Sequence, residues 1–232
     1  MAYHSGVSWS AIAQIESGRR KDVRLSSLTA LADALQLSVD HLVGSTAAIS
    51  PKPLGHCLHI YESDEEFVGA AGGFIREGIE RSECVLAVMT KRQTDLIHDA
   101  LGDAARSVEF KNTSEWYRSP SETLDAYREF VNEQLAGGAH WIRIVGEACW
   151  TGYSRAKVDG WMRYESMVNL SFASAPATLL CLYDARSAPE NVLADARRTH
   201  PELAHAAECG PSPDFRRAED FLLVPGQLRR PV

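Results

Sequence analysis

The chain has 232 residues, enough for one large domain or for a small domain followed by a medium one. Its formal net charge of −7 disfavours a protein that coats nucleic acid along its whole length. Residues 1–50 contain four basic and four acidic side chains, so the net charge lies in the rest of the chain. This distribution is typical of a small neutral domain with a basic corner, followed by a larger acidic domain.

The cysteine pattern excludes the common zinc and redox motifs. No Cys-x-x-Cys pair occurs among Cys57, Cys84, Cys149, Cys181 and Cys209. Four of them lie in apolar, strand-like runs and are expected to be buried, and all five are expected to be reduced thiols. No signal peptide is recognised, and no apolar run is long enough to cross a bilayer. We therefore expect a cytoplasmic protein with no membrane partner.

Residues 6–44 have the pattern of short helices. Ser8 can cap the first helix by accepting a hydrogen bond from a free backbone N–H group, and Ile12 and Ile15 lie on its apolar face. A second helix is predicted to start at Ser26 or Ser27. Its apolar side chains recur at helical spacing, at Leu28, Leu31, Ala32 and Leu35.

This segment resembles the Cro/C1-type (XRE family) helix-turn-helix domain of bacterial and phage repressors. The resemblance rests on GVS at 6–8, IESG at 15–18 and LSVDHL at 37–42. It implies that one helix contacts base edges in double-stranded DNA through Ser8, Trp9, Ser10 and Gln14. The basic run that follows would contact phosphates through Arg19, Arg20, Lys21 and Arg24, the alternative being a solvated loop.

In this family two helices precede the turn that begins here at residue 6. Only five residues precede that turn in this sequence. We expect a start codon upstream of Met1 that restores them; the alternative is a relic of the domain. Without those helices, Ile12, Ile15 and Leu31 would lack apolar partners. Trp9 either stacks on the DNA backbone or packs against the first helix.

The rest of the chain has the pattern of a larger α/β domain. Residues 1–44 form the partial helix-turn-helix domain, 45–55 (STAAISPKPLG) a linker, 56–205 the α/β domain and 206–232 a tail. Alternating strand-like and helical runs predict a three-layer fold with a mainly parallel sheet. Strands are predicted at 57–61, 84–89, 107–110, 141–145, 178–183 and possibly 221–224, and helices at 65–81, 94–101, 122–135, 158–170 and 191–198.

This second domain resembles the MEDS family, a sensory domain of methanogen and methylotroph signalling proteins. The resemblance rests on HCLHIYE at 56–62, FIREGIER at 74–81, GE at 146–147 with Trp150, CLYD at 181–184 and RTHP at 198–201. It implies a RecA/KaiC-like fold and the sensing of small hydrocarbon derivatives.

The sequence found where a phosphate-binding loop would stand argues against nucleotide hydrolysis. A RecA-type ATPase needs a glycine-rich loop with a lysine after its first strand, and YESDEE stands there at 61–66. Its carboxylates would repel a triphosphate, so we expect no P-loop and no cofactor. No GxSxG turn is present, and no cysteine lies beside an obvious base, so we predict no catalytic residues and no enzyme.

A small-molecule site is predicted where the strands end, because ligands of parallel α/β sheets bind beyond the carboxyl ends of the strands. Its candidates are Tyr61, Glu62, Glu147, Trp150, Tyr183 and Asp184, with His59 and His200 added. The alternatives are a core histidine at 59, a helix cap at 147 and a helix end at 200. No metal site is predicted, because His59, Glu147 and His200 come from separate segments without ligand spacing.

Together these observations predict a ligand-responsive transcriptional regulator. The helix-turn-helix would bind a two-fold DNA operator as a homodimer, and a small molecule bound to the α/β domain would shift the equilibrium between DNA-competent and incompetent arrangements. The rival is a stand-alone sensory or protein-interaction module whose helix-turn-helix remnant has no function.

Overall fold

The computed structural model describes residues 6–16, 19–20, 22–35, 39, 54–150, 152–205 and 208–218. The chain divides into two compact units, residues 1–50 and 51–232.

The first unit contains helix α1, Trp9–Glu16, and helix α2, Leu25–Leu35. The predicted cap at Ser8 is confirmed, since its Oγ accepts a hydrogen bond from the Ala11 N–H at 3.3 Å. Ile12 and Leu31 are only 4% and 6% exposed, so the expectation that they would lack partners is wrong for these two, whereas Ile15 is half-buried. Lys21, a predicted phosphate contact, lies outside the described residues. So does the LSVDHL motif at 37–42, apart from Val39.

The second unit is built on a seven-stranded sheet. Its strands are β1 Gly55–Tyr61, β2 Cys84–Met89, β3 Val108–Asn112, β4 Ile142–Gly146, β5 Ala177–Asp184, β6 Glu202–His205 and β7 Glu208–Pro211. The order is β3-β2-β4-β5-β1-β6-β7, and only the β6–β7 pair is antiparallel. The predicted mainly parallel sheet is confirmed. Strands β6 and β7 were not predicted, and the possible strand at 221–224 lies outside the described residues.

Helices cover both faces of this sheet. They are α3 Asp64–Phe67, a π-helical turn Val68–Gly72, α4 Gly73–Glu80, α5 Lys91–Leu101, a 3-10 turn Gly102–Ser107, α6 Thr113–Trp116, α7 Pro120–Ala136, α8 Arg155–Ser171 and α9 Glu190–Thr199. The long helix predicted at 65–81 is therefore interrupted by one π-helical turn in a glycine-rich segment.

Alternate strand residues point to opposite faces and fill two separate cores. On one face Val85 and Leu180 join Phe67 of α3, Ile75 of α4 and Ile97 of α5. On the other, Leu86 and Leu179 join Phe130 of α7, Trp161 of α8 and Val192 of α9. This arrangement confirms the predicted three-layer α/β fold.

A disulfide connects the first and last strands of this unit, Cys57 in β1 and Cys209 in β7. The expectation that all five cysteines are reduced thiols is wrong for these two. The error arises because the pairing spans 152 residues and depends on β7, which the sequence pattern did not predict. Cys84, Cys149 and Cys181 are free thiols.

Candidate functional site

The end of β1, the start of α5 and the residue after β4 bring together Tyr61, Gln93 and Glu147, which we call the strand-end group. The Tyr61 hydroxyl donates to the Glu147 carboxylate at 2.8 Å, and Gln93 Nε2 donates to the Tyr61 hydroxyl at 3.1 Å and also to that carboxylate. The Gln93 side chain is oriented by Thr90 at the start of α5, whose N–H donates to Gln93 Oε1. Burial raises the pKa of Glu147 to about 7, although the hydrogen bonds from Tyr61 and Gln93 oppose the rise.

Beside this group, two carboxylates are neutralised by two guanidinium groups. Arg186 binds Asp184 through two hydrogen bonds of 2.8 Å and reaches Asp64 Oδ1 at 3.2 Å. Arg92 also pairs with Asp64. Hydrogen bonds from Arg186 and Arg92 hold the pKa values of Asp184 and Asp64, respectively, below their usual range. Both guanidinium groups are therefore paired with carboxylates at this edge.

A cavity of about 460 Å³ lies on the α4 face of the sheet, a volume typical of small-molecule sites. Its walls are mainly apolar or small, because Gly69, Ala70 and Gly73 face β1 there. Both ring nitrogens of His59 are buried and without a hydrogen-bond partner among the described residues. Burial lowers the pKa of His59, so a neutral imidazole faces this space.

A second polar group is enclosed in the core on the α8 face. It consists of His56, Glu165, Cys181 and His200, which we call the buried quartet. Burial lowers the pKa of His56 to about 4 and raises the pKa of Glu165 to about 8. The 3.6 Å contact between His56 Nε2 and Glu165 Oε2 is therefore between neutral groups at pH 7 rather than an ion pair.

The eight predicted ligand-binding residues do not converge at one edge. Tyr61, Glu147 and Asp184 lie at the strand ends, with Glu62 exposed beside them, whereas His59 lines the cavity on the α4 face. The remaining three lie on the α8 face: Trp150 and Tyr183 stack with ring centroids 5.4 Å apart, and Tyr183 contacts the ring of His200 edge-on. The structure therefore brings only the first set to one edge, and the ligand-binding role of all eight residues stays a prediction.

Several site residues were missed, although weak signals for them exist. His56 and Cys181 belong to the HCLHIYE and CLYD motifs, but His56 was given no role and Cys181 was assigned only to a predicted strand. Glu165 is a lone carboxylate within the apolar face of a helix rich in tryptophan and methionine, which is itself unusual. No feature of the local sequence marks Gln93 or Arg186 as a site residue, because Gln93 contacts Tyr61 and Glu147, and Arg186 contacts Asp64, all in other segments of the chain.

In the first unit, the predicted DNA-binding side chains are exposed wherever the structure describes them. They are Ser8, Trp9, Ser10, Gln14, Arg19, Arg20 and Arg24, with Trp9 75% exposed. Ile12 on the opposite side of α1 is buried, so the helix separates an apolar side from a polar one.

The described residues of the second unit form an α/β domain in which YESDEE begins at the end of β1, at the position of a phosphate-binding loop. Residues 55–201 match the model of MEDS, the methanogen/methylotroph, DcmR sensory domain, and the match covers more than half of the chain. The chain belongs to this family, and its role is sensory.

No curated protein matches the chain. Among solved structures, the chain is similar to the cytoplasmic domain of EssC, with 9% identity and a TM-score of 0.37. That similarity covers 64% of this chain but only 29% of the other chain, and it is too low to support an argument. In the described part of the chain, no helix combines the length and apolar character needed to cross a bilayer.

Proposed function

We propose that the protein is a ligand-responsive transcriptional regulator, in which the first unit binds double-stranded DNA and the MEDS domain binds a small molecule. The observation that carries this proposal is the order of parts: a sensory domain follows a helical unit with one exposed polar helix face and basic residues beside it. A homodimer on a two-fold operator follows from the usual symmetry of such regulators.

The exposed face of α1 has the chemistry for base contacts. The Gln14 amide can form two hydrogen bonds with adenine in the major groove, and the Ser10 hydroxyl can donate or accept. Arg19, Arg20 and Arg24 are exposed and supply positive charge for phosphate contacts. In this proposal the side chains of α1 determine which bases are preferred. The arginines fix the register of the protein on the duplex and make its affinity depend on salt concentration.

Selection from a pool of random-sequence duplexes tests the DNA-binding half. We expect one enriched motif. Gln14→Ala should relax preference at one base position, whereas Arg20→Ala should weaken binding to all duplexes and reduce the salt slope by about one. Arg163→Ala removes one exposed positive charge from the MEDS domain and serves as the control. If no duplex is enriched over the pool, the DNA-binding proposal is wrong and the rival, a stand-alone sensory module, replaces it.

The ligand-binding half rests on the cavity beside His59. Its mainly apolar walls suit a small uncharged molecule, and the neutral ring of His59 forms part of them, with both ring nitrogens buried behind the accessible surface. Glu66 and Glu77 also line the cavity and would disfavour an anion. The proposed ligand class is therefore a short alcohol, ketone or halogenated hydrocarbon.

Thermal unfolding in the presence of ethanol, acetone and dichloromethane tests this half. A ligand that binds only the folded state raises the melting temperature with concentration. Gly73→Leu should abolish the rise by filling the cavity, while Gly160→Ala in α8, outside the cavity, controls for a glycine change. A rise that persists in Gly73→Leu, or no rise with any of the three, would contradict this choice of site and ligand class.

A further inference from the structure

We infer that the buried quartet is a tetrahedral site for a divalent transition-metal ion, with Zn²⁺ the best match. The four residues come from β1, α8, β5 and the position just after α9, and the atoms that approach one another are His56 Nε2, Glu165 Oε2, Cys181 Sγ and His200 Nε2. This site is independent of DNA binding and of the cavity beside His59. It was not predicted from the sequence, because its four ligands come from four separate segments.

The spacing of the donors fits such an ion. All four atoms lie within 4.8 Å of one another. His56 Nε2 lies 3.3 Å from Cys181 Sγ and 3.6 Å from Glu165 Oε2, and His200 Nε2 lies 3.7 Å from the same carboxylate oxygen. Zinc bonds of about 2.0–2.3 Å arranged as a tetrahedron place neighbouring ligand atoms about 3.3–3.7 Å apart, so these three separations fit, and any of the others as wide as 4.8 Å would shorten when the ion binds.

The hydrogen bonds around the quartet direct both imidazole lone pairs inward. Asn169 Nδ2 donates to the Thr199 carbonyl at 2.8 Å, which turns Oδ1 towards His56 Nδ1 at 2.9 Å. His200 Nδ1 lies 2.8 Å from the Ala196 carbonyl oxygen, which can only accept. Both histidines therefore carry their proton on Nδ1 and present an unprotonated Nε2 to the quartet, which is the usual arrangement of metal-bound histidine.

Charge and burial support a cation rather than a water-filled polar core. His200 Nε2 is buried and has no hydrogen-bond partner among the described residues, although its lone pair faces the other three donors. A divalent ion with one thiolate, one carboxylate and two neutral imidazoles has a net charge of zero, as a buried site requires. The adjoining cavity, bordered by Gly146 and Tyr117, has room for about one water molecule, so a further ligand could approach.

Cobalt substitution tests the proposal on the full chain. Protein stripped with a chelator should bind one equivalent of Co²⁺ and develop the intense visible bands and thiolate charge-transfer band of a tetrahedral site. Cys181→Ser should lose the charge-transfer band, whereas Cys84→Ser, which changes a free thiol outside the quartet, should retain it. Absence of stoichiometric binding, or a charge-transfer band that survives Cys181→Ser, would overturn the proposal.

Two further measurements keep the test decisive if Cys181→Ser does not fold. X-ray absorption of the wild-type protein loaded with zinc should show one sulfur and three nitrogen or oxygen ligands; a sulfur-free shell would overturn the assignment. Asn169→Ala should lower zinc affinity about 10- to 100-fold by releasing the His56 ring. The exposed Asn132→Ala should leave affinity unchanged, and an equal loss in both variants would contradict the positioning role of Asn169.

Discussion

The hydroxyl of Tyr61 donates a hydrogen bond to Glu147, a carboxyl group whose pKa burial raises to about 7. Two titratable side chains face this carboxyl group, Tyr61 from β1 and Asp184 from β5, and Gln93 of α5 contacts it as a neutral donor. The group therefore changes charge near neutral pH, at the edge of the sheet where parallel α/β folds bind ligands.

This relationship predicts the pH dependence of stability. A folded pKa of about 7 lies above the value near 4.5 for the unfolded chain, so the folded state binds the extra proton between those pH values. Stability should fall as pH rises from about 4.5 to 7, by at most about 3 kcal/mol from this group. Glu147→Gln should remove that slope and be more stable than the wild type at pH 8.

Urea unfolding at several pH values measures the effect. Glu80→Gln makes the same charge change at an exposed helix position and should leave the slope in place. Parallel stability curves for the wild type and Glu147→Gln would show that Glu147 titrates alike in the folded and unfolded chains.

A close approach at Gly78 predicts the effect of adding one methyl group. A Cβ atom there would lie 2.7 Å from Arg143 Cδ and 2.8 Å from Val85 Cγ2. Arg143 cannot easily move aside, because Glu83 holds its buried guanidinium at 2.5 Å and Glu77 holds it at 3.0 Å. Gly78→Ala should therefore lower the free energy of unfolding by about 1–3 kcal/mol.

Gly73 in the same helix provides the matched comparison, because a Cβ atom there meets nothing within 4 Å. Gly73→Ala should be neutral or stabilising by up to about 1 kcal/mol, since alanine has the higher helix propensity. Equal effects of the two substitutions in chemical denaturation would refute the steric argument.

The Cys57–Cys209 disulfide predicts a redox dependence of stability. Closing a loop of 152 residues restricts the unfolded chain, which contributes about 2–4 kcal/mol to stability. Cys209→Ser should lose that contribution under non-reducing conditions, and the wild type with dithiothreitol should resemble it. Cys149→Ser, at an exposed free thiol, should remain as stable as the wild type. A wild type that is insensitive to reductant would count against the disulfide.

The interior of the sheet could be predicted from the sequence because its strands are buried on both faces. Strand β2 was predicted with the observed bounds, since CVLAVM is a continuous apolar run. Strands β6 and β7, ELAH and ECGP, have no such run, and they form a sheet edge through pairing with each other and with β1. That pairing depends on long-range contacts rather than on local pattern.

The same distinction applies to the candidate sites. Tyr61, Glu147 and Asp184 could be placed together because the ends of parallel strands share one edge. The buried quartet could not be predicted this way, since Glu165 reaches it from the middle of α8 and His200 from the end of α9. They converge because of the way the helices pack on the sheet. That packing cannot be predicted from the spacing of residues within one segment.

The position of β1 in the sheet also constrains the order in which the chain can fold. This strand leaves the ribosome first among the seven, yet both of its neighbours, β5 and β6, are among the last three to be made. Its apolar residues therefore have no sheet partner until residues 177–205 have emerged. During synthesis the apolar strand β1 therefore stays without a sheet partner until most of the domain has been made.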